Sequence, residues 1–176
     1  MKGTLRLIIV LFVVCGLAAG SLAFVNAATK DRIAEFARTE KAEAMKRVFE
    51  EAQEFPEIAA GKVWEARQGG EVVGHVLAVS TQGYSGPIEG LVGLDLGKNV
   101  TGVRVLVQTE TPGLGAKITG EKFLAQYRGV KAEEIALKRD DPAGRIDAIT
   151  AATISSRALT AAVRKTIDAY QKGDLQ

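Results

Sequence analysis

The residues of this chain best suited to chemistry lie near its C-terminus, in DAITAATISSR, residues 147–157. Four hydroxyls, on Thr150, Thr153, Ser155 and Ser156, flank a pair of alanines, and the stretch leads into a basic segment with helical patterning. After Asp147 the next carboxylate is Asp168. The N–H groups at a helix start carry partial positive charge and ordinarily attract Asp or Glu. Two readings fit. In one, Thr and Ser act as caps and Asp147 holds a loop N–H. A capping box, however, needs Glu or Gln three residues after the cap; Thr150 is followed there by Thr153, and Thr153 by Ser156. In the other reading the helix start is left free for an outside anion, and a phosphate suits it.

Two glycine-rich stretches accompany it. GYSGPIEGLVG, residues 83–93, surrounds Tyr84 and Ser85 with four glycines and a proline. It is either a plain loop between strands or a backbone that a flat ligand can approach closely. ETPGLGAK, residues 110–117, contains the turn signal Pro112-Gly113, and Gly113 and Gly115 remove bulk on both sides of Leu114. A turn leaving a strand explains this equally well, because phosphate-binding glycine loops need a defined strand–helix context.

Composition excludes several chemistries. The 176 residues include one cysteine, Cys15, and one histidine, His75. This chain alone therefore holds neither a Cys/His zinc site nor an iron–sulfur cluster. Cys15 lies in an apolar run, away from any Cys–His nucleophile arrangement, and no other nucleophile has a plausible histidine partner for a hydrolase. His75 sits in a strand pattern and reads as structural. With 23 basic and 21 acidic residues and no basic arm, nucleic acid is not an expected partner.

The elements that must position these stretches follow from periodicity. Leu7 to Thr29 carries no charge and matches the thickness of a bilayer core. Lys2 and Arg6 precede it, which places the N-terminus in the cytoplasm and the remainder on the other side. A cleaved signal peptide is the rival, with Val25-Asn26-Ala27 as a loose cleavage site, but the apolar run is longer than a signal core, and a retained anchor is expected. Val14 before Cys15 argues against a lipid attachment site. The expected organisation is residues 1–29 as cytoplasmic N-terminus and anchor, 30–58 as a juxtamembrane helix and 59–176 as one soluble domain. The spacing predicts a helix over 31–53, with a bend near Asn26 and Thr29 and closure at Pro56. Strands are predicted at 63–67, 72–79, 88–95, 100–107 and 135–138, a short helix at 121–127 and a helix at 155–170. Trp64 reads as core or a membrane-facing edge. The fold class is α+β, a largely antiparallel sheet flanked by helices.

Asp147-Ala148-Ile149-Thr150-Ala151-Ala152-Thr153 resembles the Asp-x-x-(Ser/Thr)-Gly-Ala-(Thr/Ser) flavinylation pattern of FMN-binding domains. With the N-terminal span, the segment around Tyr84, ETPGLG and the helix after Thr153, the resemblance covers nearly the whole chain. ETPGLG together with the flavinylation motif is shared by the G subunit of the Rnf electron transport complex and the C subunit of the sodium-pumping NADH:quinone reductase. ISSRAL after the acceptor is more similar to the Rnf protein.

The resemblance implies FMN joined through its phosphate to Thr153 as a phosphoester. The maker is a separate flavin transferase using FAD. Asp147, Thr150 and Ala152 complete the motif, and Ser155, Ser156 or Arg157 would donate to the phosphate. Glu110, Thr111, Gly113, Leu114 and Gly115 would lie against the isoalloxazine ring, Leu114 as its apolar contact and Thr111 at its polar edge, with Tyr84 nearby. The implied role is an electron relay in a membrane complex that couples ferredoxin and NAD electron exchange to movement of sodium ions or protons. The NAD and cluster sites would belong to partner subunits. The implied place is the cytoplasmic (inner) membrane of a bacterium or archaeon, with the C-terminal domain on the extracytoplasmic side. A free-standing FMN carrier and a non-redox extracytoplasmic binding module are the alternatives. The chain departs from the pattern twice. Ala151 stands where Gly is usual, which costs nothing at negative φ and is costly at positive φ. Gln108 stands where the family often has His.

Overall fold

The computed structural model describes residues 2–175. The chain divides into two compact units, one ending at Glu40 and the other beginning at Lys41. Helix α1, Lys2–Val48, supplies the first unit and the opening of the second. In the first unit it is long and apolar enough to cross a membrane, and Leu11, Phe12 and Phe24 are exposed. Ser21 and Thr29 donate to the carbonyls of Leu17 and Val25, each at 2.8 Å, so both hydroxyls are satisfied inside the helix. Asn26 and Thr29 stay helical, against the expected bend. The helix also stops five residues short of the predicted end at 53. Thr101 Oγ1 donates to the Val48 carbonyl at 2.8 Å, and Ala52 N–H turns to Phe49 instead.

The second unit is built on an antiparallel meander whose strands lie in chain order: β1 Glu57–Ala59, β2 Val63–Gln68, β3 Glu71–Gln82, β4 Pro87–Asp95 and β5 Val100–Gln108. The β2–β3 turn is Gly69-Gly70, both at positive φ (60° and 88°), the conformation a two-residue hairpin loop requires. Strand β1, three residues long, escaped the sequence reading; it is too short to show a period.

Alternation along the strands gives the sheet two apolar faces. On one, Leu77, Val79, Ile88 and Val92 pack with Leu159, Val163 and Ile167 of helix α3, Thr153–Lys172, and with Phe123 and Tyr127. Phe123 belongs to the short helix α2, Glu121–Leu124, which continues as a 3-10 turn to Tyr127. On the other face, Trp64, Ala66, Val76 and Leu91 are covered by Ala44, Met45, Val48, Phe49 and Ala52. Trp64 is thus core, with Lys41 Nζ 4.1 Å above its ring. This close seat needs glycine beneath it: a Cβ on Gly93 would meet Val48 Cγ1 at 2.7 Å, and one on Gly102 the Val48 carbonyl oxygen at 3.0 Å.

The predicted strand at 135–138 is not a strand. Ile135 and Leu137 are buried, which accounts for the alternation, but the backbone makes a single parallel bridge, Leu137 with Ile146. Alternation reports which side chains are buried; a ladder also needs a partner of strand length.

Candidate functional site

A single side chain joins the three stretches that drew attention in the sequence. Glu110, just past the end of β5, is 4% exposed. Its Oε1 accepts the Ser85 N–H at 3.0 Å, and its Oε2 accepts the Ser155 hydroxyl at 2.5 Å. A buried carboxylate must be hydrogen-bonded, and both oxygens are. The glycine–proline loop, the ETPGLG loop and the start of α3 are thereby fixed to one another. Gln108 holds the Glu110 backbone, its amide oxygen accepting the N–H at 2.7 Å, so the residue in place of the usual histidine is a loop anchor.

Glycine is required at several points of this junction, Gly113 and Gly115 among them. Gly113 has φ +77°, and Leu114 and Ala116 N–H groups then return to the Thr111 carbonyl, each at 3.1 Å. A Cβ on Gly115 would meet Glu110 Oε2 at 2.5 Å and Ser155 Oγ at 2.8 Å.

The start of α3 is built without a side-chain cap. Ala152 is the capping residue, with no side-chain hydrogen bond, and Thr153 is the first helical residue. Ahead of it, the Ala152 N–H bonds the Ile149 carbonyl at 3.0 Å, closing a tight turn with Ala151 at φ 65°. Positive φ at the third residue of such a turn is the condition that favours glycine, so the usual Gly at this position has a conformational reason and Ala151 is strained. Ser156 pins the turn, accepting from Ile149 N–H at 3.1 Å and donating to the Ala152 carbonyl at 2.9 Å.

Beside this junction is an open cleft of about 340 Å³ lined by Tyr84, Glu110, Thr111, Leu114, Gly115 and the 151–155 segment. Its size lies within the range of small-ligand sites. Tyr84, Leu114 and Ile154 are 69%, 44% and 53% exposed, an apolar wall still open to solvent. Of the twelve expected residues, Tyr84, Glu110, Thr111, Leu114, Gly115, Ala152, Thr153 and Ser155 come together here. Four are not in the lining. Gly113 shapes the loop behind it, and Ser156 is buried beneath the turn. Thr150 is exposed on the turn. Asp147 faces away, held by Lys138 Nζ at 2.7 Å and by Gln126, whose Oε1 accepts its N–H at 2.7 Å.

Around Thr153 the charges are arranged in pairs. Arg157, expected as a phosphate donor, is taken by Asp140 in a two-pronged contact at 2.6 and 2.8 Å, which holds the Asp140 carboxyl below its usual pKa. The residue that does reach Thr153 is Arg139, donating from Nη1 to Oγ1 at 3.1 Å. Sequence reasoning missed Arg139, which lies just past the predicted 135–138 strand and outside the three stretches that drew attention. It also missed Ile154, whose apolar character was available as a signal.

Residues 83–168 match the FMN-binding domain family. The chain is 31% identical to the G subunit of the Na(+)-translocating ferredoxin:NAD(+) oxidoreductase complex of Acetobacterium woodii, across 97% of this chain and 93% of that protein. It is 29% identical to the G subunit of the ion-translocating oxidoreductase complex of Methanosarcina acetivorans, across 95% of this chain and 94% of that one. Among solved structures, the C subunit of the Na(+)-translocating NADH-quinone reductase of Parabacteroides distasonis superposes with a TM-score of 0.54 at 26% identity, over 62% of this chain and 60% of that one. Shewanella oneidensis NqrC shares the fold, with a TM-score of 0.51 at 22% identity over 63% of this chain and 60% of its own. The chain belongs to the G-subunit family of ion-translocating oxidoreductase complexes, and its second unit contains an FMN-binding domain.

Proposed function

We propose that this protein is the covalent-FMN electron-relay component of a membrane-bound, ion-translocating ferredoxin:NAD oxidoreductase, with Thr153 as the attachment point. The observation that carries the reading is the convergence of ETPGLG, the Tyr84 loop and the 147–157 stretch on one cleft, with buried Glu110 at its base and Thr153 at its edge. The residues fit the group. Leu114, Ile154 and Tyr84 offer apolar surface to a flat ring, and Thr111 and Ser155 offer polar groups. Gly115 leaves the lining without a side chain where a methyl would strike Glu110 and Ser155. The phosphate falls to the uncapped start of α3. Bound there, FMN supplies the electron transfer, and the protein sets its position and exposure. The chain's own part is to tether, orient and leave one side open to partner subunits, which would hold the NAD and cluster sites. The apolar part of α1 anchors the protein in the cytoplasmic membrane of a bacterium or archaeon. Lys2 and Arg6 before the span support placing the second unit on the extracytoplasmic side.

A separate flavin transferase would mature the protein. In that step the Thr153 Oγ–P bond forms to the flavin-side phosphorus of FAD, the P–O bond to the bridging oxygen breaks, and AMP leaves. The hydroxyl proton passes to a base of the transferase or to water. The test is the intact mass of the full chain coexpressed with a flavin transferase. The wild type is expected to gain one FMN less water, and Thr153→Ala nothing. An unchanged wild-type mass, beside a known acceptor that loads, would sink the proposal in favour of a non-redox binding module.

The fold shared with the sodium-translocating quinone reductase's C-type component supports a second reading, a component of a sodium-pumping NADH:quinone reductase or a free-standing carrier. Copurifying proteins separate these: ferredoxin:NAD oxidoreductase partners support the first reading.

A further inference from the structure

Arg139 forms no ion pair within 4.0 Å among the described residues, and its charge acts on Asp140 only at longer range, helping to hold that carboxyl below its usual pKa. Its neighbours have close partners: Lys138 pairs with Asp147 at 2.7 Å and Asp140 with Arg157 at 2.6 Å, while Asp141 Oδ1 accepts the Ala143 N–H at 2.9 Å. Among the described residues no carboxylate lies within 4.0 Å of the Arg139 side chain, and its hydrogen bond goes to the neutral Thr153 hydroxyl. The guanidinium is aimed at the atom where the proposed ester forms.

We infer that Arg139 is the phosphate-binding residue of the flavin acceptor, orienting Thr153 Oγ for attack and pairing with the phosphoryl oxygens afterwards. The inference rests on the reading of Thr153 as acceptor. A hydroxyl oxygen has two lone pairs; Arg139 occupies one and leaves the other for the phosphorus. Negative charge builds on the phosphoryl oxygens during the transfer, and one charge remains in the diester. The remaining N–H groups of the guanidinium fork match those oxygens in geometry and sign. Lysine would supply the charge without the fork, and glutamine a donor without the charge.

The experiment uses the full chain in detergent, purified without flavin and incubated with a flavin transferase and saturating FAD. Loading is followed by intact mass for wild type, Arg139→Lys and Arg139→Gln, with Thr153→Ala as the blank. The unfolding temperature is measured before and after loading. Arg139→Gln is expected to load about tenfold slower or worse, as losing a charged hydrogen bond implies, and Arg139→Lys to fall between. The unloaded unfolding temperature should stay the same, because the side chain is exposed. The rise in unfolding temperature on loading should shrink in Arg139→Gln. Wild-type loading rates in Arg139→Gln overturn the inference alone. So does slow loading with an undiminished thermal rise, which assigns Arg139 to contact with the transferase. A lowered unloaded unfolding temperature assigns it a structural role and also overturns the inference. A wild type that never gains mass removes the acceptor reading itself, and this inference with it.

Discussion

Ala151 shows how one residue can matter through its backbone alone. At φ 65° it holds a conformation that glycine adopts freely and that costs an L-residue about 1–2 kcal/mol. Ala151→Gly is therefore expected to stabilise the protein by about 0.5–1 kcal/mol, net of glycine's extra unfolded-state entropy. Thermal unfolding should show a rise of about 2–4 °C; an unchanged or lower temperature would mean that the turn relaxes around the methyl. From the sequence, the departure from the family pattern was visible, but its sign was not, since φ is set by how the turn closes on Ile149. Glu110 was legible as part of a motif. Its burial and its two donors were not, because Ser85 and Ser155 lie 25 and 45 residues away.

At the scale of elements, β3 and α3 meet at His75 and Tyr170, whose rings lie 5.2 Å apart at 45°. Burial lowers the His75 pKa, and Glu65, its cross-strand partner on β2, opposes that shift. Burial raises the Tyr170 pKa, with Glu65 adding to the shift. A histidine pKa lowered in the folded state means that the unfolded chain binds more protons, so stability falls as pH drops below about 6.5 toward the folded value. The unfolding temperature is expected to decline between about pH 7 and 5.5, and His75→Gln to flatten that slope. An identical slope in the variant would assign the dependence to other groups. The same packing explains which elements could be read in advance. α3 carries a clear period because it buries one stripe, and β2 to β5 read as strands because both faces of the sheet are buried and make apolar-rich runs between turn signals. Ile135 and Leu137 imitate a strand because they are buried. The end of α1 was misplaced because Thr101 competes for its final carbonyl.

For the whole molecule, composition divides the chain more sharply than any motif. The first unit exposes Leu11, Phe12, Phe24 and their neighbours, a surface too apolar for water. The second unit buries its apolar residues on both faces of the sheet. The full chain is expected to stay with membranes through an alkaline or high-salt wash, and a chain beginning at Lys30 to partition into the soluble fraction. Membrane retention of the shortened chain would show a second attachment in the folded unit.

By itself the sequence determined the apolar span, four of the five strands and the closing helix of the folded unit, and the three stretches that could form a site. Each depends on local composition or on a period of two or 3.6 residues, which neighbouring positions carry. Tertiary structure alone decided that these stretches share one carboxylate, that Ala151 is left-handed, and that Arg139 rather than Arg157 reaches Thr153. The physical reason is the same each time. A charged side chain goes to whichever partner the fold brings within about 3 Å, and here Asp140 lies against Arg157 while Thr153 lies against Arg139.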